Sequence, residues 1–193
     1  MAGPEEILNF WLDEVEPRDW YVADDDLDQM VRTKFEPTWR KAMQGGLGQW
    51  LTYASGSLAY VILMDQFSRN MFREDAKSFA SDRRALAAAK SAIKNRWDMK
   101  IDEPARMFFY MPLMHSENLC DQDRCVRLIK ERLPQGGENQ LLHARAHRAV
   151  IRQFGRFPTR NATLGRRSTE VEQTYLDAGG YGSTVRELQN AAA

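Results

Sequence analysis

Ser57-Leu58-Ala59-Tyr60-Val61-Ile62-Leu63-Met64-Asp65-Gln66-Phe67-Ser68-Arg69-Asn70-Met71-Phe72-Arg73 carries its apolar residues at helical spacing and does not alternate. Leu58 and Ile62 define one face. The next positions on that face are Asp65, Gln66 and Arg69, with Arg73 a turn further. The apolar stripe therefore turns polar toward its C-terminal end without changing side. Asp65 and Arg69, four apart, can pair. A surface pair of that kind stabilises by only ~0.3–0.5 kcal/mol, which hardly explains charge on an inward face. Either the pair is a buried structural tie between helices, or it belongs to a site.

No other stretch alternates with period two either, so a sheet is not expected. Pro4-Glu5-Glu6 suits a first helical turn, with Ile7, Leu8, Trp11 and Leu12 forming a stripe that Pro17 ends. Asp24-Asp25-Asp26 offers a cap and dipole-favourable acids for a second helix to about Met43, kinked at Pro37. Phe79 to Trp97 is rich in alanine and reads as a helix. Asp102-Glu103-Pro104 opens another to about Glu117, Asp121 caps a helix over Cys125–Leu133, and a further one ends at Phe154-Gly155. Ser168-Thr169-Glu170 starts a short last helix. About eight helices joined by short loops make an all-α fold of antiparallel hairpins. The expected organisation is one helical domain over residues 1–178 and a C-terminal tail over 179–193.

The chain has 27 basic and 27 acidic residues, but they are unevenly placed. Asn139 through Thr169 contains seven arginines (Arg145, Arg148, Arg152, Arg156, Arg160, Arg166, Arg167) and no Asp, Glu or Lys. Arginine alone favours planar recognition of carboxylate or phosphate. Such a run requires an acidic counterpart, from the chain or from a ligand. Residues 1–30 carry ten acids against Arg18 and are one such source. The balanced charge and the lack of lysine in the run argue against nucleic acid. Two cysteines, Cys120 and Cys125, without CxxC spacing read as reduced thiols. An acidic N-terminus and the lack of a long apolar run exclude a signal peptide and a membrane span, so a soluble cytoplasmic protein is expected.

His115 follows Phe108 and Met111 on one helical face, with Glu117 two residues on. His143 and His147 are four apart, continued by Ile151 and Phe154. That spacing suits a metal, with His115 or Glu117 as third ligand, but the neighbouring arginines repel a cation. No metal and no cofactor are expected. Gly-rich phosphate loops and nucleophile elbows are absent from the sequence.

Asn9-Phe10-Trp11, Asp65 through Arg73, His115-Ser116-Glu117, and Phe154-Gly155-Arg156-Phe157-Pro158-Thr159-Arg160-Asn161 through Gly165-Arg166-Arg167-Ser168-Thr169 resemble domain-of-unknown-function family 924 to about Leu176. The resemblance implies stacked antiparallel helix pairs similar to tetratricopeptide repeats, and it implies no activity. His143 stands where the family pattern has an aromatic residue. The leading expectation is an inner polar pocket for an anionic small molecule or an acidic peptide. Asp65, Gln66, Arg69, Asn70, Arg73, His115, Glu117, His147, Arg156, Arg160 and Asn161 would line it. One rival is an enzyme using His147 or Glu117 as general acid or base. The other is a purely structural network, with function in protein–protein contacts. Oligomeric state is not legible.

Overall fold

The computed structural model describes residues 1–192, and among them there is no strand. The protein is all-α. It divides into two compact units, residues 1–112 and 113–193.

In the first unit, α1 (Pro4–Leu8) runs into a π-helical stretch, Asn9–Glu14. α2 (Asp25–Met43) starts where the Asp24 carboxylate accepts the Leu27 N–H at 2.8 Å, and it continues through Pro37. A 3₁₀ segment, Gly48–Thr52, leads into α3 (Ala54–Val61), whose N-cap position is Tyr53. The stretch from Ser57 to Arg73 then changes pitch. Ile62–Phe67 is π-helical, and α4 (Ser68–Met71) ends it. α5 (Asp82–Lys94) buries Ala85, Ala88, Ala89 and Ala92 against α3, small side chains that let the two helices approach closely.

The core of this unit is aromatic. Phe67 touches Phe10, Trp11 and Phe35 with ring centroids 6.0, 5.2 and 4.7 Å away. Trp20 stacks on Trp11 and donates its indole N–H to the Trp11 carbonyl at 2.8 Å. Burying four such rings fully contributes several kcal/mol of apolar transfer energy, roughly 1.5–3 kcal/mol for each large side chain. The long helix expected from Asp102 to Glu117 is instead a 3₁₀ segment, Ala105–Phe109, and a single turn α6 (Met111–Met114). Pro112 lacks the N–H that a continuous helix would need there.

In the second unit, α7 (Leu119–Arg132) begins earlier than expected because Asn118, not Asp121, is its cap. The Asn118 side chain accepts the N–H groups of Cys120 and Asp121. A short loop joins it to α8 (Glu138–Phe154), against which it packs. Gly155 closes α8 with φ 71°, a left-handed conformation that glycine adopts without strain. α9 (Glu170–Asp177) starts at a capping box between Thr169 and Glu172. Residues expected as a tail include α10 (Gly180–Ala192), thirteen residues long, which docks on α8. Tyr181 packs against the cluster of Val150, Ile151 and Phe157, an apolar anchor that the glycines around it hide from a sequence reading.

Candidate functional site

The eleven expected site residues fall into two groups, five in the first unit and six in the second. In the first, Asp65 is completely buried. Arg69 lies one helical turn on and donates from Nη1 to the Asp65 backbone oxygen at 2.6 Å, with the Asp65 carboxylate 3.4 Å away. The same guanidinium reaches Asp82 of α5 at 3.0 and 3.2 Å. Burial alone would pull the Arg69 pKa down, but the charges of Asp65 and Asp82 raise it above its ordinary value. Gln66, also buried, donates to the Asp65 carboxylate.

Asn70 and Arg73 share a different acceptor. Asn70 Nδ2 and Arg73 Nη2 each lie 2.8 Å from Asp28 Oδ1, and Arg73 Nε donates to Oδ2. Arg73 is exposed, not inward, because the helix ends at Met71 and the face it was assigned to stops there. This group therefore joins α2 and α5 to the π-helical stretch by ion pairs. One acid of the N-terminal cluster, Asp28, serves Arg73, not the C-terminal arginine run.

In the second unit, Arg148, Arg156 and Arg166 of the arginine run find carboxylates locally. Arg156 donates from Nε and Nη2 to Glu172 at 2.6 and 2.7 Å, and to the Arg167 carbonyl. Those hydrogen bonds, with the Thr169 N–H, hold the Glu172 carboxyl at about 2. Arg166 grips Glu117 with both terminal nitrogens, at 2.8 and 3.0 Å. Glu117 also accepts the Phe157 N–H at 2.8 Å. Burial would raise the Glu117 carboxyl, but these bonds bring it below its ordinary value. Arg166 further donates to the buried Asn161 and to the Phe157 carbonyl. Arg148 meets Asp123 of α7 at 3.3 Å.

His115, His147 and Arg160 come together with two aromatic rings. Arg160 donates to the His115 carbonyl at 3.0 Å and lies over the Phe157 ring at 4.5 Å. The His147 ring stands 6.1 Å from His115, 5.4 Å from Phe157 and 4.7 Å from Tyr181. Its Nδ1 is 2.9 Å from the His143 carbonyl, one turn back, and 3.1 Å from the Tyr181 hydroxyl. A carbonyl only accepts, so Nδ1 carries the proton and Nε2 the lone pair. The Tyr181 hydroxyl in turn lies 2.7 Å from His143 Nδ1; because it faces the protonated Nδ1 of His147 on its other side, its own proton is left for His143. Burial, followed by the charges of His115 and Arg160, pushes the His147 pKa down to about 3.

His143 thus spends Nδ1 on Tyr181, and His147 spends its Nδ1 on the His143 carbonyl and Tyr181. Among the described residues, no group of three or more His, Cys, Asp and Glu side chains is disposed to hold a metal. Sequence reasoning missed Tyr181, Arg166 and Glu172. Arg166 stood in the quoted run, and Thr169-x-x-Glu172 was a legible capping box. Tyr181 had no signal beyond its aromatic character.

The fold is that of an all-helical protein with polar networks built around arginine. Residues 7–180 match the bacterial protein family of unknown function DUF924. The chain belongs to that family. A solved structure of a protein of unknown function from Agrobacterium tumefaciens is similar to it, with 35% identity and a TM-score of 0.84. The match covers 91% of this chain and 97% of the other. No curated protein matches the chain. Among the described residues no helix is long and apolar enough to cross a membrane.

Proposed function

We propose that the protein binds a small phosphorylated or carboxylated molecule in the cytoplasm, at the group formed by His115, His147 and Arg160. The observation that carries this is His147 Nε2, which has no hydrogen-bond partner among the described residues. Its tautomer is set by the His143 carbonyl, so a lone pair faces outward from a histidine that stays neutral. A monoprotonated phosphate or a hydroxy acid offers both complements: a hydroxyl to donate to Nε2 and an anionic oxygen for the Arg160 guanidinium. The Phe157 face and the His115 carbonyl hold that guanidinium in place, which reduces the ordering cost of binding.

The enzyme reading has less support. A histidine with a pKa near 3 is a weak base and carries no proton at neutral pH. Glu117 is ionised and tied to Arg166, so it is no general acid. Arg156, Arg166, Glu117 and Asn161 serve as the frame of the site. Thermal-shift titration with inorganic phosphate, sulfate and citrate tests the proposal. The melting temperature of the unmodified protein should rise with concentration, and that of Arg160→Ala should not. Equal shifts in both proteins would overturn it. A response to a peptide carboxyl terminus and none to phosphate would move the reading to an acidic peptide.

A further inference from the structure

A cavity of about 250 Å³ opens between α3, α5 and the Gly48–Thr52 segment of the first unit. Leu51, Ala87 and Ala88 form its apolar wall, and Ser57, Tyr60, Arg84 and Ser91 supply its polar groups. Arg84, Ala87, Ala88 and Ser91 recur every three or four residues, so one face of α5 lines the space. The two alanines leave room that a larger side chain would fill. Tyr60 is only 6% exposed and its hydroxyl makes no hydrogen bond to any described residue, but the oxygen itself is not sealed off, so it is available at the cavity to a ligand or to water.

The charge at the rim is also uncommitted, because Arg84 has no carboxylate partner among the described residues. Burial raises the Tyr60 phenol while the Arg84 charge opposes the rise, so the two groups act on the same space. Ser57 donates its hydroxyl to the Trp50 carbonyl at 3.4 Å, which leaves Tyr60 and Arg84 as the donors for an anion. The volume lies just below that of typical small-molecule sites, which suits a ligand of few atoms.

We propose that this cavity binds a small amphiphilic carboxylate, its carboxylate held by the Tyr60 hydroxyl and the Arg84 guanidinium and its short apolar body against Leu51, Ala87 and Ala88. The proposal does not rest on the anion site around His147, since the two share no residue. It takes a ligand with an apolar body, which inorganic phosphate lacks.

Isothermal titration of the full chain with benzoate and with butyrate provides the test, with saturation-transfer NMR to identify the bound face. Benzoate should bind saturably, and uncharged benzyl alcohol should bind at least tenfold more weakly. Arg84→Gln should weaken benzoate binding about tenfold and Tyr60→Phe about fivefold, as expected for the loss of a charged and a neutral hydrogen bond. Ala87→Leu, at an exposed position, should abolish it by occupying the space. Circular dichroism checks that each variant is folded. If neither acid binds saturably, or if folded Arg84→Gln and Tyr60→Phe both retain unmodified affinity, the proposal is wrong.

Discussion

Arg166 places its two terminal nitrogens 2.8 and 3.0 Å from the two carboxylate oxygens of Glu117, across a sequence separation of 49 residues. The pair is only partly exposed, and Glu117 also accepts the Phe157 N–H. Glu117→Ala removes the acceptor of three donors at once and leaves a guanidinium unmatched. It should destabilise the protein by about 2–3 kcal/mol, measured by urea denaturation. Arg166→Lys should recover little of this, because an ammonium cannot reproduce the two parallel bonds. A loss under 0.5 kcal/mol in Glu117→Ala would show the pair to be an ordinary surface bridge.

The buried Asp65 makes a sharper case. Its carboxylate is fully removed from water and faces both Arg69 and Gln66. Asp65→Ala leaves the Arg69 charge with Asp82 as its remaining acidic partner among those described. A destabilisation of about 3–5 kcal/mol is expected from guanidinium denaturation, the range for breaking one side of a buried pair. Asp65→Asn should cost less, since it keeps an acceptor for Gln66. Asp28→Ala, by contrast, removes contacts to the exposed Arg73 and to Asn70 and should cost about 1–2 kcal/mol.

These networks explain what was legible in the sequence. Helical spacing identified the all-α class, the cap at Asp24 and the C-terminal glycine of α8, because each depends on residues within one or two turns. The inward position of Asp65 and Arg69 followed from the Leu58–Ile62 face. The partners did not follow, since Asp82, Glu117 and Glu172 lie 13 to 49 residues from their arginines. Charge counting alone directed the arginine run toward the N-terminal acids, whereas Arg156, Arg166 and Arg148 pair within their own unit. Helix α10 was hidden because three glycines precede its only polar-aromatic anchor or flank it, and glycine weakens any helical signal.

Acid sensitivity should report on Glu172. Its carboxyl is held at about 2, first by the Arg156 hydrogen bonds, against an ordinary value of 4.5. A depressed carboxyl contributes stability that is complete above its unfolded pKa and is lost as pH falls through its folded one. The contribution should therefore be present above about 4.5 and disappear between there and 2. Glu172→Gln should flatten that part of the pH–stability curve, measured by thermal melts at a series of pH values. Retention of the full acid slope in Glu172→Gln would assign it to other carboxylates.

The His143–Tyr181–His147 arrangement makes a prediction about protons. His147 gives its Nδ1 proton to the His143 carbonyl, and Tyr181 gives its hydroxyl proton to His143 Nδ1. Nitrogen-15 NMR should thus find His147 as the Nδ1–H tautomer and His143 as the Nε2–H tautomer. His147 should remain neutral until the pH approaches about 3, since burial is the main cause of its depressed pKa. The unfolded chain takes up that proton near 6.5, so this residue lowers stability progressively as pH falls from 6.5 toward 3. Tyr181→Phe removes the donor that orients His143 and admits either tautomer there, while His147 keeps its bond to the backbone. Titration of His147 near 6.5 in the unmodified protein would show its ring to be solvated, and Nε2 would then carry no special role in ligand binding.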